Sequence, residues 1–304
     1  MTKPTAGSKF RKLLAHGFVT LPGVYNAITA KLARAAGFNA LYLSGAGVTN
    51  ATTGYPDIAL LTLTEMAQQA RYVSKAVDVP VIADADTGYG EVHNVMRAVE
   101  ELENAGLAGI HLEDQVSPKR CGHLDGKQVI DAVEMAHKIR AAVRARSDKD
   151  FYLIARTDAR GVEGFDHAVD RAKRYLDSGA DAIFPESLQT VDEFARFADR
   201  VKAPLLANMT EFGKTPLISA AEFESMGYAM VIFPMTAFRV MMKAAEELYA
   251  ELKSTGTQAA FVDRMQTRKE LYELIRYADF EAVDRQISQA EAPSDGVSIV
   301  EEEA

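Results

Sequence analysis

Short apolar runs alternate with longer amphipathic segments along most of the 304-residue chain. Four of the longer segments reach a glycine just before the next apolar run, and glycine supplies the left-handed conformation favoured just past a helix end. The apolar runs lack clean two-residue alternation, which is typical of strands buried on both faces of a parallel sheet. These stretches are AAGFNALYL, NAGLAGIHL, DSGADAIFP and SMGYAMVIF, with VDVPVIAD, KDFYLIAR and VKAPLLAN between them.

The segments between the apolar runs predict helices. Capping-box starts stand at Thr62-x-x-Glu65, Thr190-x-x-Glu193 and Ser219-x-x-Glu222, with a weaker relative at Asp131-x-x-Glu134. With a first strand in FVTLPGVY, the pattern gives about eight strand–helix units, the number in a (β/α)8 TIM barrel. An open doubly wound sheet is the alternative.

Two further helical segments, 257–277 and 279–291, exceed what a barrel needs, and we expect them to serve subunit contact. No linker or low-complexity tract divides the chain. We therefore predict a single barrel domain over residues 1–292 that includes the C-terminal helices. The polar residues 293–304 are expected to form a disordered tail.

Composition narrows the class of protein. Hydrophobic residues make up 48% of the chain, enough for a large core, and the formal charge of -9 argues against nucleic acid or an anionic membrane as a partner. The single cysteine excludes an internal disulfide framework and suits a reducing cytosol. The N-terminal residues contain no apolar signal-peptide core, and no apolar run approaches the ~18 residues of a membrane span. We expect a cytoplasmic protein.

Polar groups collect where the apolar runs end. In a barrel the carboxyl ends of all strands meet at one mouth, where such enzymes do their chemistry. The general polarity of loops is the alternative, but it does not explain a collection of carboxylates, a guanidinium and an amide. The groups are Ser44-Gly45-Ala46-Gly47, Asp84-Ala85-Asp86, Glu113-Asp114, Arg156-Thr157-Asp158, Glu186 and Asn208-Met209-Thr210.

Asp84 and Asp86 stand two residues apart and would share one face of an extended strand. Because neighbouring carboxylates repel, a shared hard cation, Mg²⁺ or Mn²⁺, is the natural partner for these oxygen ligands. Glu113 and the loop residue Asp57 are candidates for the outer part of the same site. A cap or surface charge remains the alternative for each acid, and a turn role for Asp86.

Arg156 ends an apolar strand, where a guanidinium needs a carboxylate from the protein, such as Asp158, or from a ligand. Arg239 follows the eighth strand, and a second arginine there indicates an anionic substrate, such as a polycarboxylate. The Gly45-x-Gly47 pair lacks the third glycine of a dinucleotide loop. We interpret it as a loop whose backbone NH groups and Ser44 hydroxyl hold a carboxylate.

Residues 115–127, here called the lid, combine glycines with many charges and are expected to cover the mouth. They contain Cys121, whose thiol pKa Lys119, Arg120 and His123 would lower toward neutrality. Such a thiol suits general acid or base work, nucleophilic attack or oxidant sensing. An incidental surface cysteine is the remaining alternative.

The chain resembles the isocitrate lyase/phosphoenolpyruvate mutase superfamily over roughly residues 8–290. The resemblance is carried by YLSGAGV, DADTGYG, HLEDQVSPKRCGH, ARTDA, FPE, LANMTEFGKTPL, FPMTAFR and MQTRKELYELIRY. KRCGH points to the carbon–carbon lyase branch of the superfamily. MQTR and TEFG-x-TP point, within that branch, to the members that cleave 2-methylisocitrate. Isocitrate lyases share the lid but are markedly longer.

The resemblance implies a barrel whose last helix is exchanged between neighbours, usually in a homotetramer, and a site that binds Mg²⁺ and a small polycarboxylate. Its implied metal ligands are Asp84 and Asp86, with Asp57 and Glu113 near the ion's water shell. Its implied catalytic residues are Cys121, Tyr42 and His123. Its implied substrate-binding residues are Ser44, Gly45, Ala46, Cys121, Gly122, Arg156, Glu186, Asn208, Thr210, Arg239 and Arg268; the family often has glycine where Ala46 stands.

The implied reaction is Mg²⁺-dependent retro-aldol cleavage of 2-methylisocitrate to pyruvate and succinate in propionate catabolism by the methylcitrate cycle. Cys121 would protonate the succinate carbon, and the base that removes the hydroxyl proton is not assigned. Phe184, Ile232 and Pro234 form the expected apolar patch for the substrate methyl group. Dimethylmalate lyase, isocitrate lyase, oxaloacetate decarboxylase and a non-catalytic thiol sensor are the alternatives.

Overall fold

Eight parallel strands form a barrel in the computed structural model, which describes residues 4–120, 122–124 and 126–290. The strands are β1 (Val19–Val24), β2 (Leu41–Leu43), β3 (Val81–Asp84), β4 (Gly109–Glu113), β5 (Tyr152–Thr157), β6 (Ala182–Pro185), β7 (Leu206–Asn208) and β8 (Met230–Phe233). Their spatial order is β6-β5-β4-β3-β2-β1-β8-β7, and a parallel bridge between Ile183 and Leu205 joins the two ends. The predicted (β/α)8 barrel is confirmed, and the open-sheet alternative is wrong.

Helices surround the barrel and extend beyond it. They are α1 (Ala6–His16), α2 (Ala27–Ala35), α3 (Gly45–Thr53), α4 (Leu63–Ala76), α5 (Val92–Asn104), α6 (Ala132–Ala145), α7 (Phe165–Asp177), α8 (Val191–Arg200), α9 (Ala220–Ser225), α10 (Thr236–Thr255), α11 (Arg268–Leu274) and α12 (Tyr277–Ala290). Single 3₁₀ segments span Ala159–Gly161 and Ala259–Arg264.

The predicted helix starts are largely confirmed. Full capping boxes form at the starts of α4 and α9. At α8 the Thr190 side chain caps the helix as expected, but Glu193 accepts a hydrogen bond from the Gln189 backbone at 2.8 Å instead of closing the box. Asp131 caps α6 through the backbone NH of Val133.

Three stretches differ from the sequence-based expectation. Helix α1 was not predicted, and the predicted loop after Ser44 is the start of α3, capped by the Ser44 hydroxyl. The predicted helix over 257–277 is divided, because Thr267 and Glu270 form a capping box that begins α11. The predicted tail 293–304 lies outside the described residues.

The strand side chains alternate between two apolar layers. One layer fills the barrel interior and includes Tyr42, Ile82, Ile154, Phe184, Leu206 and Ile232. The other lies between strands and helices and includes Leu41, Val81, Ile110, Leu153, Ile183 and Val231. Phe10 of α1 packs edge-on against Tyr152, with ring centroids 5.2 Å apart, and belongs to the interior layer. A residue two positions beyond an interior residue therefore enters the mouth of the barrel.

Candidate active site

The alternation carries the predicted polar groups into one place. Ser44, Asp84, Glu113, Arg156, Glu186 and Asn208 each stand two residues beyond an inward-facing residue, and all but Asn208 are buried. A cavity of about 70 Å³ lies at this mouth. Its lining includes Tyr42, Ser44, Ala46, Asp57, Asp84, Gly122, His123, Arg156, Phe184, Glu186, Asn208, Thr210, Ile232 and Pro234, all named from the sequence.

Arg156 pairs with Asp158 of the same chain, which was one of the two alternatives drawn from the sequence. Its Nε and Nη2 donate to Asp158 at 2.9 and 3.2 Å, and its Nη1 lies 3.2 Å from Glu113 Oε2. Burial alone would lower the pKa of Arg156, but Asp158, Glu113 and Glu186 raise it well above its ordinary value. The guanidinium also stands over the Phe184 ring, 5.1 Å from its centroid. Arg156 is therefore a fixed positive charge in the mouth.

The two aspartates do not share an extended strand. β3 ends at Asp84, and Asp86 lies in a turn with φ 47°, where its backbone NH donates to Asp84 Oδ1 at 2.9 Å. The turn still brings both carboxylates into the buried mouth. Burial raises the pKa of Asp86 to about 6.

Lys119 of the lid binds the acids on one side of the mouth. Its buried ammonium lies 2.6 Å from Asp57 Oδ1 and 2.9 Å from Asp86 Oδ1. Within residues 4–120, 122–124 and 126–290, no group of three or more acidic, histidine or cysteine side chains is arranged to hold a metal ion. The Lys119 ammonium therefore offsets part of the negative charge of Asp57 and Asp86.

Tyr42 and His111 form a buried pair behind Asp84. The Tyr42 hydroxyl lies 2.8 Å from His111 Nε2, and that nitrogen is 3.6 Å from Asp84 Oδ1. Burial lowers the pKa of His111 to about 4 and raises that of Tyr42 well above its ordinary value. Both side chains are therefore neutral near pH 7, and the phenol can donate to the imidazole.

The lid closes the mouth with three basic side chains, each on different acids. Besides Lys119, the Nε2 of His123 lies 3.1 Å from Glu186 Oε1, and Lys127 Nζ lies 2.7 Å from Asp158 Oδ1. His123 Nδ1 accepts the Lys214 backbone NH at 3.0 Å, which leaves the ring proton on the nitrogen that faces Glu186. The lid's charges therefore balance acids in the mouth.

Glu186 is ionised in this arrangement. Burial would raise its pKa, but the positive charge of Arg156 and the contact with His123 hold it well below the ordinary glutamate value. Asn208 Nδ2 donates to the same carboxylate at 3.2 Å. Glu186 thus joins the barrel wall to the lid.

Several predicted residues lie apart from the cavity wall. Gly45, Asp86 and Glu113 are buried but do not line it. Arg239, in the first turn of α10, lies 3.3 Å from Glu211, and Arg268 is exposed at the start of α11; neither lines the cavity of this chain. Cys121, the predicted catalytic thiol, lies outside the described residues.

Residues 10–253 match the family model described as phosphoenolpyruvate phosphomutase. The chain belongs to the phosphoenolpyruvate mutase/isocitrate lyase family. Among curated members, the 2-methylisocitrate lyase of Aeropyrum pernix is 54% identical over 89% of this chain and 87% of its own length. The 2-methylisocitrate lyase of Bacillus subtilis is 47% identical over 94% and 95% of the two chains.

Solved structures of family members share the fold. A 2,3-dimethylmalate lyase aligns with a TM-score of 0.89 at 38% identity, covering 94% of this chain and 96% of that one. A phosphonopyruvate hydrolase solved with oxalate and Mg²⁺ aligns with a TM-score of 0.85 at 30% identity, covering 93% and 99%.

The sequence-based reasoning missed four contributors to this family site. Lys119 was named only as a neighbour of Cys121, and His111 was given no role. Lys127 and Ser187 were given no role. The two-residue spacing in His111-Leu112-Glu113 was a usable signal for His111, whereas the long-range contacts of the two lysines have no local signature.

Proposed function

We propose that this protein is a 2-methylisocitrate lyase, a carbon–carbon lyase that cleaves (2S,3R)-2-methylisocitrate to pyruvate and succinate. The identity to curated lyases of that name over most of the chain supports the proposal. The structural observation that carries it is that one cavity is lined together by Asp84, Arg156 and Gly122 of the lid. The cavity wall would thus combine a carboxylate for a metal ion, a guanidinium for a substrate carboxylate, and a residue of the lid.

The residues at the mouth fit a divalent metal, Mg²⁺ or Mn²⁺. Asp86 Oδ1 and both Glu113 oxygens are buried and make no well-directed hydrogen bond, although Lys119 Nζ lies 2.9 Å from Asp86 Oδ1 and Arg156 Nη1 lies 3.2 Å from Glu113 Oε2. The capacity of these oxygens to accept is therefore not fully used. Carboxylate oxygens are the donors that these hard ions prefer. Asp84 and Asp86 would hold the ion, with Asp57 and Glu113 on its outer side. When bound, the metal supplies Lewis-acid stabilisation of negative charge that develops on a substrate oxygen.

The mouth would bind the substrate carboxylates through cations and NH groups. Arg156 supplies a guanidinium already oriented by Asp158, and preorganised donors act most strongly where water is excluded. Asn208 and Thr210 line the same cavity and offer neutral donors. The N-terminus of α3 follows Ser44, and helix N-termini favour anions. Glu186 would accept from a substrate hydroxyl or hold Asn208 in place.

Cleavage would move the electrons of the carbon–carbon bond onto the succinate carbon and its carboxylate. The hydroxyl proton leaves to a base that we do not assign, and the hydroxyl-bearing carbon becomes the pyruvate carbonyl. Cys121 would then give its proton to the succinate carbon. Its neighbour in sequence, Gly122, lines the cavity, which supports this role.

Substrate choice would depend on the apolar part of the wall. Phe184, Ile232 and Pro234 line the cavity and could accept the extra methyl group. The cavity of about 70 Å³ is much smaller than the roughly 300 Å³ or more of a typical small-molecule pocket, so we expect the lid to move when a tricarboxylate binds.

We also propose a homotetramer that exchanges C-terminal helices. Helix α10 has no buried residue, and α12 exposes Phe280, Val283 and Ile287 at 72%, 54% and 55%. Apolar faces of this kind mark interfaces. Arg268 and Arg239 would then act in the assembly. No helix in the described part of the chain is long and apolar enough to span a bilayer. Separately, the single cysteine suits a reducing compartment, and we propose a cytoplasmic location.

A substrate panel tests the proposed function. Purified protein with Mg²⁺ is given 2-methylisocitrate, isocitrate, 2,3-dimethylmalate and oxaloacetate, and release of the keto product is followed. We expect fastest turnover of 2-methylisocitrate, loss of turnover with a chelator, and recovery on adding Mg²⁺. Faster turnover of another panel member would assign that activity instead, and no turnover of any would favour the thiol sensor.

Two variants test the assigned chemistry. Asp84→Ala should abolish turnover, and Cys121→Ser should lower kcat by about 10²–10⁴-fold, as expected for loss of a general acid. Asp78→Ala is the matched control, because Asp78 is an exposed aspartate paired with Arg34 just before β3. Turnover by either site variant at the rate of the control would contradict the mechanism.

A further inference from the structure

The backbone carbonyl of Gly122 accepts hydrogen bonds from two buried side chains. One donor is Lys127 Nζ, and the other is Ser187 Oγ at 2.7 Å. Lys127 is 8% exposed and Ser187 is 5% exposed. Because both donors are buried, water competes poorly for this carbonyl, and the two hydrogen bonds hold it in place. Gly122 directly follows Cys121 in sequence.

Lys127 joins the lid to the arginine of the mouth. Its ammonium binds Asp158 Oδ1 at 2.7 Å, and the same carboxylate accepts two hydrogen bonds from Arg156. Asp158 is fully buried, and its backbone NH is held by Asp114 Oδ1 at 2.8 Å. One immobile carboxylate therefore sets the positions of both the Lys127 ammonium and the Arg156 guanidinium.

Ser187 contributes from the end of β6. Its φ of 58° lies in the left-handed region, which residues other than glycine adopt rarely and which recurs at functional sites. The residue before it, Glu186, contacts His123 of the lid. Two consecutive barrel residues, Glu186 and Ser187, thus contact two consecutive lid residues, His123 and Gly122.

We propose that Lys127 and Ser187 are positioning residues that seat the Gly122 carbonyl and thereby hold Gly122 and His123 of the lid against the Arg156 and Glu186 side of the mouth. The inference rests on the proposed lyase function for its kinetic consequence. Its structural consequence, a lid fastened by these two donors, holds whatever the substrate is.

Kinetics of three variants test the first consequence. Lys127→Met and Ser187→Ala should each lower kcat at least about ten-fold while KM changes less than about three-fold, because a donor is lost but the cavity wall remains. Lys127→Arg keeps the charge and should recover most of the loss. Lys202→Met and Ser178→Ala are matched controls: Lys202 binds Asp199 at 2.8 Å on the surface, and Ser178 Oγ binds the Arg174 carbonyl at 2.9 Å at the end of α7.

Hydrogen–deuterium exchange of the lid tests the second consequence without substrate. The peptide spanning 115–130 should exchange at least about five-fold faster in Lys127→Met and Ser187→Ala than in wild type, with exchange of the β-strands unchanged. The control variants should match wild type in both measurements.

The outcomes separate the two proposals. If wild type cleaves none of the panel substrates, the lyase function fails, and the exchange data alone decide whether the lid is fastened as described. If the lyase is active but both variants keep wild-type kcat or wild-type lid exchange, the positioning role is wrong. If Lys127→Met or Ser187→Ala does not fold, the result for the other variant decides the outcome.

Discussion

Gly122 touches the barrel so closely that a side chain has no room. A Cβ there would lie 2.2 Å from Glu186 Oε1 and 2.5 Å from Arg156 Nη2, both buried and paired groups. The lid can reach its closed position only because this residue is glycine. We therefore expect Gly122→Ala to block closure while the barrel itself folds.

The expected result for Gly122→Ala is a fall in kcat/KM of at least about 100-fold, the scale at which small misplacements at an active site act. The melting temperature should stay within a few degrees of wild type. Gly161→Ala is the control, because its nearest neighbour would be an ordinary 3.6 Å contact with the Lys127 side chain. Equal activity of the two variants would show that the lid does not need this close approach.

Glu163 and Arg171 form a second residue-level pair, away from the lid. Arg171 donates to the two Glu163 oxygens at 2.7 Å each, and these hydrogen bonds, against an opposing effect of burial, lower the pKa of Glu163. The ionised glutamate is thus favoured in the folded state. Its stabilisation is full above the unfolded glutamate pKa of about 4.3 and is lost as pH falls through the lower folded pKa.

We expect Glu163→Gln to lower the free energy of unfolding by about 1 kcal/mol at neutral pH, a modest figure because Glu163 is one-third exposed. Urea unfolding should show this difference from wild type shrinking toward zero as pH falls below about 4. Glu100→Gln on the exposed face of α5 should show no such pH-dependent difference. A difference that grows at low pH would contradict the assignment.

Among the elements, α1 closes the lower end of the barrel. Phe10 is fully buried and belongs to the interior layer with Tyr152. Replacing it with alanine should destabilise the protein by about 3–5 kcal/mol, the usual cost of removing a buried phenylalanine. Denaturant unfolding measures this, and Phe212→Ala, at a side chain 93% exposed, should change stability by less than about 0.5 kcal/mol. A small effect at Phe10 would mean that α1 does not plug the barrel.

Elements were predictable where local pattern and barrel topology agree. The eight strands and the convergence of their polar ends follow from apolar runs and the shared direction of parallel strands. Helix α3 was missed because GAGVTNATT has poor intrinsic helix propensity, and the Ser44 cap supplies part of what favours it there. The turn at Asp86 was one of two sequence-based alternatives, and the structure decides for it, with φ 47° at Asp86.

Contacts between segments that are distant along the chain could not be predicted from the sequence. Lys119 binds Asp57, which lies 62 residues earlier, and Lys127 binds Asp158, which lies 31 residues later. No periodicity relates such pairs. The sequence therefore indicated that the lid would cover the mouth, but not which charge would meet which acid.

At the scale of the whole molecule, the C-terminal helix α12 exposes the apolar side chains of Phe280, Val283 and Ile287. Phe280→Asp and Val283→Asp should reduce the assembly measured by light scattering from a tetramer to smaller species, because a charge is costly in a buried apolar interface. Val191→Asp, at an exposed apolar side chain at the start of α8, should leave the assembly unchanged. An unchanged mass in the Phe280→Asp and Val283→Asp variants, or a monomeric wild type, would contradict the exchange of helices.

Strict inside–outside alternation along every strand has a consequence for how such a protein can diversify. Exchanging one inward residue for another alters the chemistry of the mouth and leaves the rest intact. Inserting or deleting a single residue within β3 or β5 would instead turn Asp84 or Arg156 into the apolar layer between strands and helices. An aliphatic side chain would then point into the mouth. We therefore expect new specificities on this scaffold to come from point substitutions and changes in the loops, and not from changes in strand length.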